Sequence, residues 1–241
     1  MLRFTTLTAD SSAMTALVSI PARGMAPFPG LVVMPHRGGI DRFTIDRLDR
    51  LADLGIASVA PDIYHRQPVA TPTTQGKDQL RDDEIESDIA AVLEFIAADG
   101  RFDKARLGIL GHCQGGRTAL IGLVSRPEAF CAGVIYYGGS IFKRMGGPGP
   151  APFNQMSVIK CPIAGFFGND DSNPSPDDVS RFDAELRRLK IPHEFHRYDG
   201  AGHAFQDFTD HHRSREPQGE QAWAATVTFL KRELGLDAAA T

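Results

Sequence analysis

Short apolar runs alternate with amphipathic stretches along most of the chain, and the period of each names an element. Residues 3–22 alternate weakly and include Thr15-Ala-Leu-Val-Ser-Ile20, which predicts one or two strands at a sheet edge. A Pro/Gly-rich connector, 21–29, leads to a buried strand at 30–35. Asp41 can cap a helix over 41–54 whose Ile45, Leu48, Leu51 and Leu54 share a face, with Gly55 as its stop. A strand at 56–60 follows, then a polar surface excursion at 65–82. Ile85, Ile89, Val92 and Ile96 recur at helical spacing up to Gly100. Strands at 107–110, 130–137, 159–167 and 192–198 complete the apolar set, with helices at 117–123 and 175–190. Trp223, Val227, Leu230 and Leu234 mark a closing amphipathic helix.

Strands thus alternate with helices from Gly30 onward. This predicts an α/β fold with a mainly parallel central sheet and helices on both faces. No repeat, low-complexity tract or domain break interrupts it, so residues 1–241 read as one domain. Such sheets place function in the loops after the strand C-termini. Those loops hold most of the chemically capable residues: His36–Gly39, Asp62–Arg66, His112–Gly116, Asp170–Asp171 and Gly202–His203, plus a Gly/Pro-rich loop, a solvated insertion or a lid or rim, placed at 138–155.

One loop has a distinctive grammar. The run Leu107-Gly-Ile-Leu-Gly-His-Cys-Gln-Gly-Gly-Arg-Thr-Ala-Leu120 reads strand, sharp turn, helix, with Cys113 at the turn. That is the nucleophile elbow, G-x-S-x-G, with cysteine in the serine's place. Side chains two before or two after the nucleophile would collide with neighbours, and Gly111 and Gly115 stand there. The new helix points its free N–H groups at the sulfur, which favours the thiolate. The alternative is a buried free cysteine beside a turn.

The bulk properties narrow the chemistry. The 241 residues are 42% hydrophobic and 23% charged, with net charge −4, so no basic surface points to nucleic acid. No run approaches membrane-spanning length and the N-terminus has no apolar leader. Cys113, Cys131 and Cys161 form an odd set without metal-ligand spacing, as expected of reduced thiols in a cytoplasmic protein. No metal or other cofactor is expected. Cys131 and Cys161, on or beside buried strands, read as inert core thiols.

A thiol nucleophile needs a base, and the base an orienting acid. Cys113, Asp170 and His203 supply nucleophile, acid and base in the chain order of α/β-hydrolases, each in a strand-end loop. Asp170 is preferred because Gly168-x-Asp turns sharply out of its strand; Asp171 is the rival acid. His112, inside the elbow, reads as a packing or hydrogen-bonding residue. His193 and His196 should face opposite sides of the last strand, and the adjacent His211 and His212 make a poor metal site.

The chain resembles the dienelactone hydrolase family, the cysteine-nucleophile branch of the α/β-hydrolase fold. The resemblance rests on Pro61-Asp62-Ile63-Tyr64, Gly111-His112-Cys113-Gln114-Gly115-Gly116, Tyr136-Tyr137-Gly138, Gly168-Asn169-Asp170 and Ala201-Gly202-His203-Ala204-Phe205, in the family's order. It implies a Cys113–Asp170–His203 triad and an acyl-enzyme mechanism on an ester or lactone. Backbone N–H groups of Gln114 and Arg37 would form the oxyanion hole, since His36-Arg37-Gly38-Gly39 looks like an esterase oxyanion loop. A tight strand-to-helix turn needing glycine is the plainer reading of that loop.

Three departures qualify the resemblance. His36 stands where family members carry a glutamate that meets the resting cysteine; it either serves the thiol or braces its loop. Asp207 stands where a family arginine holds the substrate carboxylate, so a neutral or cationic ester or lactone is expected to fit more easily. Arg81 falls near a second family arginine, and Tyr64 and Tyr137 are further candidate substrate contacts. The loop at 138–155 is longer than in compact members. The expected partner is a small-molecule ester or lactone, with no nucleic acid and no membrane, in a monomer or homodimer. Acyl transfer or carbon–carbon bond hydrolysis at the same site, or a ligand-binding protein without turnover, are the alternatives.

Overall fold

The apolar run after Pro29 becomes the body of β3 (Phe28–Met34), in which every residue is buried. In the computed structural model, which describes residues 1–67 and 80–236, β3 lies inside an eight-stranded sheet. The other strands are β1 (Leu2–Ala9), β2 (Ser12–Ser19), β4 (Ala57–Pro61), β5 (Phe102–His112), β6 (Ala132–Tyr136), β7 (Ile163–Gly168) and β8 (His193–Tyr198). Their order is β1-β2-β4-β3-β5-β6-β7-β8. β1 and β2 form an antiparallel hairpin, and β2 joins β4 antiparallel; β4 through β8 run parallel.

The helices are α1 (Arg42–Asp53), α2 (Asp82–Ala98), α3 (Gln114–Ser125), α4 (Pro176–Arg188) and α5 (Glu216–Glu233). Ile85, Ile89 and Val92 of α2, Leu120 and Leu123 of α3, and Val179, Phe182 and Leu186 of α4 fill the core on one face of the sheet. Leu48 and Leu51 of α1 and Trp223, Phe229 and Leu230 of α5 fill the other. Local signals set the helix starts: Asp41 accepts the Thr44 N–H at 3.0 Å, and Ser175 and Asp178 form a reciprocal capping box.

Several elements run longer than the hydrophobic pattern implies. β5 begins at Phe102, through polar residues, because Phe102 and Asp103 pair with Phe28 and Pro29 across a register shift in β3. α5 starts at Glu216, and its buried stripe includes Thr226, whose hydroxyl bonds the Tyr136 hydroxyl; Val227 is only half-buried. The loop at 138–155 ends in a short 3-10 helix, Pro152–Val158. Most of the excursion at 65–82 lies outside the described residues. The two histidines of β8 do alternate: His193 meets Asp183 of α4 at 3.0 Å, and His196 stacks on Phe166 with ring centres 4.9 Å apart.

From β3 the chain crosses to β4 on one side and later to β5 on the other. Strand order reverses there, and a crevice opens at the C-terminal ends of β3 and β5. His36 follows one strand and Cys113 the other.

Candidate active site

Cys113 sits between the last residue of β5 and the first of α3, with φ +56° and ψ −118°. That left-handed backbone is strained for a residue with a side chain. It persists because its surroundings leave no alternative. The Cys113 N–H donates to Tyr136 O at 3.0 Å. A β-carbon on Gly111 would lie 2.0 Å from the Gly115 carbonyl, and one on Gly115 would lie 2.0 Å from the Met34 carbonyl. The elbow is therefore packed, backbone on backbone, against the end of β3.

The loops after β7 and β8 bring the other polar groups to the sulfur. His203 Nε2 lies 2.9 Å from Cys113 Sγ, and His203 Nδ1 lies 2.8 Å from Asp171 Oδ2. The acid beside the histidine is thus Asp171, not the expected Asp170. Gly168–Asp171 closes as a tight turn, with the Asp171 N–H donating to Gly168 O. The Asp170 N–H is held by Ala201 O at 2.9 Å while its side chain points to solvent. Strand alternation ends at Gly168, and three residues further the chain swings the Asp171 carboxylate inward to 2% side-chain exposure. Its second oxygen accepts the Asn173 N–H at 2.8 Å, fixing its direction.

The electrostatics favour a charged pair. Burial pushes the Cys113 thiol up, but the His203 hydrogen bond and charge, the Gln114 N–H and the charge on His36 outweigh it and hold the thiol below its ordinary value. Burial opposes charge on His203, yet its bonds to Asp171 and Cys113 and their charges raise it to about 10. The other thiols behave oppositely: burial raises Cys131, and lifts Cys161 to about 12.

Of the remaining expected residues, Gln114, Arg37, His36, Tyr137 and Arg81 line the cleft around Cys113, a space of about 1060 Å³; Tyr64 does not, its ring lying against Gly39. The amide nitrogen of the Gln114 side chain is buried with no hydrogen-bond partner among the described residues. Tyr137, at φ +36°, packs its ring at a steep angle to that of His203, with ring centres 5.3 Å apart. Burial, with the negative charge of Cys113 and Asp207 nearby, keeps its phenol well above the usual range and so neutral. Arg81 pairs with Asp83 at 3.0 Å. His36 braces its loop: Nε2 meets Asp41 Oδ2 at 2.9 Å, and Nδ1 lies 3.9 Å from Asp207 Oδ2.

Asp207 lines the cleft with its carboxylate already engaged by neighbours. It is 7% exposed, and one oxygen accepts the Thr209 N–H and hydroxyl at 2.9 and 2.6 Å while the other faces His36. The same cleft is lined by Arg37, Arg81, Lys143, Arg144, Arg213 and Arg215, against only Asp171 and Asp207, both turned to histidines. Three of those cations already face carboxylates: Arg81 meets Asp83 at 3.0 Å, Arg144 meets Glu86 at 3.7 Å and Arg213 meets Asp210 at 3.4 Å.

Two networks support the site, one on His112, expected as a packing or hydrogen-bonding residue, and one that escaped the sequence reading. Beneath the elbow, buried His112 bonds Gln206 Oε1 at 2.7 Å and stacks on Tyr136 at 4.4 Å; desolvation holds it well below its ordinary value, hence neutral. Gln206 in turn reaches Gly219 O at 3.1 Å. Beside it, Arg117 of α3 clamps Asp82 at 2.7 and 3.0 Å and donates to Ser140 O and Lys143 O. Asp82 also accepts the Met145 N–H at 3.3 Å, so the 138–155 segment is tied down where it borders the cleft. An arginine inside an otherwise apolar helical run was the available signal, because such a charge requires a partner. Among the described residues no group of three or more metal-capable side chains gathers, and no helix is long and apolar enough to cross a membrane.

The sequence profile of the Dienelactone hydrolase family matches residues 14–234. A Methylorubrum extorquens protein named "Putative carboxymethylenebutenolidase" is 32% identical over 213 residues, covering 83% of this chain and 71% of its own. A Bradyrhizobium protein named "Probable 2-oxo-3-(5-oxofuran-2-ylidene)propanoate lactonase" is 27% identical over 215 residues, covering 86% and 84%. The crystal structure of a "Putative Dienelactone Hydrolase" from Klebsiella pneumoniae superposes with a TM-score of 0.87 at 24% identity, over 95% of this chain and 98% of that one. The chain belongs to the dienelactone hydrolase family and is a hydrolase of ester or lactone substrates.

Proposed function

We propose that the protein opens an anionic ester or lactone through a Cys113–His203–Asp171 triad. The reading is carried by one observation: a single imidazole bridges the elbow thiol at 2.9 Å and a buried carboxylate at 2.8 Å. The thiolate attacks the carbonyl carbon, and the tetrahedral oxyanion is received by the N–H groups of Gln114 and Arg37. As the carbon–oxygen bond breaks, His203 gives its proton to the departing oxygen and leaves a thioester on Cys113. His203 then takes a proton from water, whose oxygen attacks the thioester, and the acid departs as the thiolate reforms. Asp171 fixes the tautomer of His203 and balances its charge. The cationic rim, and a relative whose name specifies a propanoate lactone, support a substrate with a carboxylate.

Turnover of p-nitrophenyl esters, neutral lactones and a carboxylated dienelactone tests this. Cys113→Ala is expected to abolish hydrolysis. Asp171→Asn is expected to lower kcat by about 10²–10⁴-fold, in the range of lost base orientation, while Asp170→Asn stays within about twofold. Unchanged turnover in Cys113→Ala would sink the mechanism, and equal losses in the two aspartate variants would remove Asp171 from its role.

A further inference from the structure

The two groups that meet at the sulfur come from distant strands. Cys113 follows β5 and His203 follows β8, with β6 and β7 between them in the sheet. At a spacing of about 4.8 Å per strand, their origins stand about 14 Å apart. The 2.9 Å contact between Sγ and Nε2 is therefore set by what joins the two loops. Among the described residues, two hydrogen bonds join the elbow, 111–116, to the loop 199–215 after β8. One is that contact itself, and the other is the bond of His112 to Gln206 at 2.7 Å. We infer that Gln206 is a positioning residue, which fixes the loop of His203 to the elbow of Cys113 and so sets the distance across which their proton moves. The inference rests on the proposed nucleophilic role of Cys113.

Both polar atoms of the Gln206 side chain have partners. Oε1 accepts from His112 Nε2, while Nε2 donates to the Tyr136 hydroxyl at 3.3 Å and to Gly219 O at 3.1 Å. The directions are forced. Gly219 O can only accept, and the Tyr136 hydroxyl already donates to Ala222 O at 3.1 Å, so the amide nitrogen belongs on that side. The amide oxygen then faces His112, whose Nε2 carries the hydrogen. Burial keeps that ring neutral, as a single N–H donor requires. One side chain thus ties the elbow, β6 and the first turn of α5 to the loop that carries His203. His112, Gln206 and Tyr136 are all buried, so water does not compete for these bonds.

Both ends of the tie are short and stiff. His112 is the last residue of β5, directly before Cys113. Its ring stacks on Tyr136 at 4.4 Å and stands nearly perpendicular to Phe43, with centres 4.9 Å apart. Tyr136 O also holds the Cys113 N–H at 3.0 Å, so the elbow and Tyr136 move as one unit. At the other end Gln206 lies three residues after His203. The turn between them is closed by the Asp207 N–H to Ala204 O at 2.9 Å, and Phe205 O accepts the Arg215 N–H at 2.8 Å. Asp171 orients His203 from the β7 side and makes no bond to the elbow among the described residues. Gln206 supplies that reference. An apolar side chain of the same length would fill its space and leave the sulfur–imidazole distance to the reacting bond alone.

Gln206→Met keeps the length of the side chain and removes its three hydrogen bonds. Hydrolysis of p-nitrophenyl acetate by the full-length protein is followed well below the melting temperature of each variant. In Gln206→Met, kcat is expected to fall about 10–100-fold, the range for a reacting pair held out of place, with KM within about threefold of wild type. The Cys113 titration, read by iodoacetamide alkylation across pH and mass spectrometry, should move to higher pH as the hold of His203 loosens. A second variant separates position from stability. Gln206→Met with His112→Phe leaves no histidine N–H stranded, so the melting temperature should recover while kcat stays low. A kcat for Gln206→Met within about twofold of wild type would overturn the inference. So would recovery of kcat together with the melting temperature in the double variant, which marks a purely structural role. Failure of the underlying reading looks different: Cys113→Ala would keep its turnover whatever Gln206 does.

Discussion

At the scale of single residues, two constraints meet at Cys113. Its backbone is held in a left-handed conformation by carbonyls that leave no room for a side chain at Gly111 or Gly115. Either glycine changed to alanine should destabilise the fold by at least about 3 kcal/mol, because the overlap is with backbone and no rotamer relieves it; urea melts of the purified variants measure this. The second constraint is the charge pair. The His203 proton is available to a leaving group up to its raised value of about 10, so kcat should fall above pH 10, while on the acid side it falls as the thiolate is protonated. The linkage has a definite sign. A raised histidine stabilises the folded state fully below its unfolded value near 6.5, and that contribution is lost as pH rises through about 10. The pairing of Cys113 with His203 was legible in the chain because the elbow and the Gly-flanked histidine are local patterns. The carboxylate beside His203 was not, since Asp170 and Asp171 are adjacent and only the turn at Gly168 decides which one faces inward. Nor was the pairing of His36 with Asp41, which depends on how the loop after β3 folds back on the start of α1.

At the scale of elements, α3 has two ends of work at its N-terminus. It presents the N–H groups beside Cys113, and one turn later Arg117 ties down both the start of α2 and the segment bordering the cleft. The Arg117–Asp82 pair is almost wholly buried, at 2% side-chain exposure on both sides. Arg117→Met leaves Asp82 buried and unpaired and should cost about 3–5 kcal/mol in a denaturant melt, whereas Arg117→Met with Asp82→Leu should recover most of it. Periodicity located nearly every element, but it truncated β5 and α5. The added start of β5 pairs with β3, and the added start of α5 is bonded through Gln218 to Asp199 O and through Gly219 O to Gln206, which a hydrophobic pattern does not register.

At the scale of the whole molecule, a chain of net charge −4 places six arginine and lysine side chains around one cleft. The net charge of the whole chain does not register this local grouping. The field of the rim should draw a carboxylated ester in from solution. Its kcat/KM is expected to fall several-fold between low salt and about 0.5 M NaCl, as screening shortens the reach of the rim. A neutral ester of the same acyl group should change little, and stopped assays across the salt series compare the two.

The tie at Arg117 also bears on how such an enzyme can be redirected. Segments that shape a substrate pocket evolve freely when their anchors are independent of the reacting atoms. Here the backbone of Ser140 and Lys143 hangs from the same helix turn that follows Cys113. Variation there would be felt at Cys113. Arg213 and Arg215 hang instead on the loop before α5, bonded to Asp210 and to carbonyls of their own surroundings. A library confined to that loop has the better prospect of changing what is bound while leaving Cys113 undisturbed.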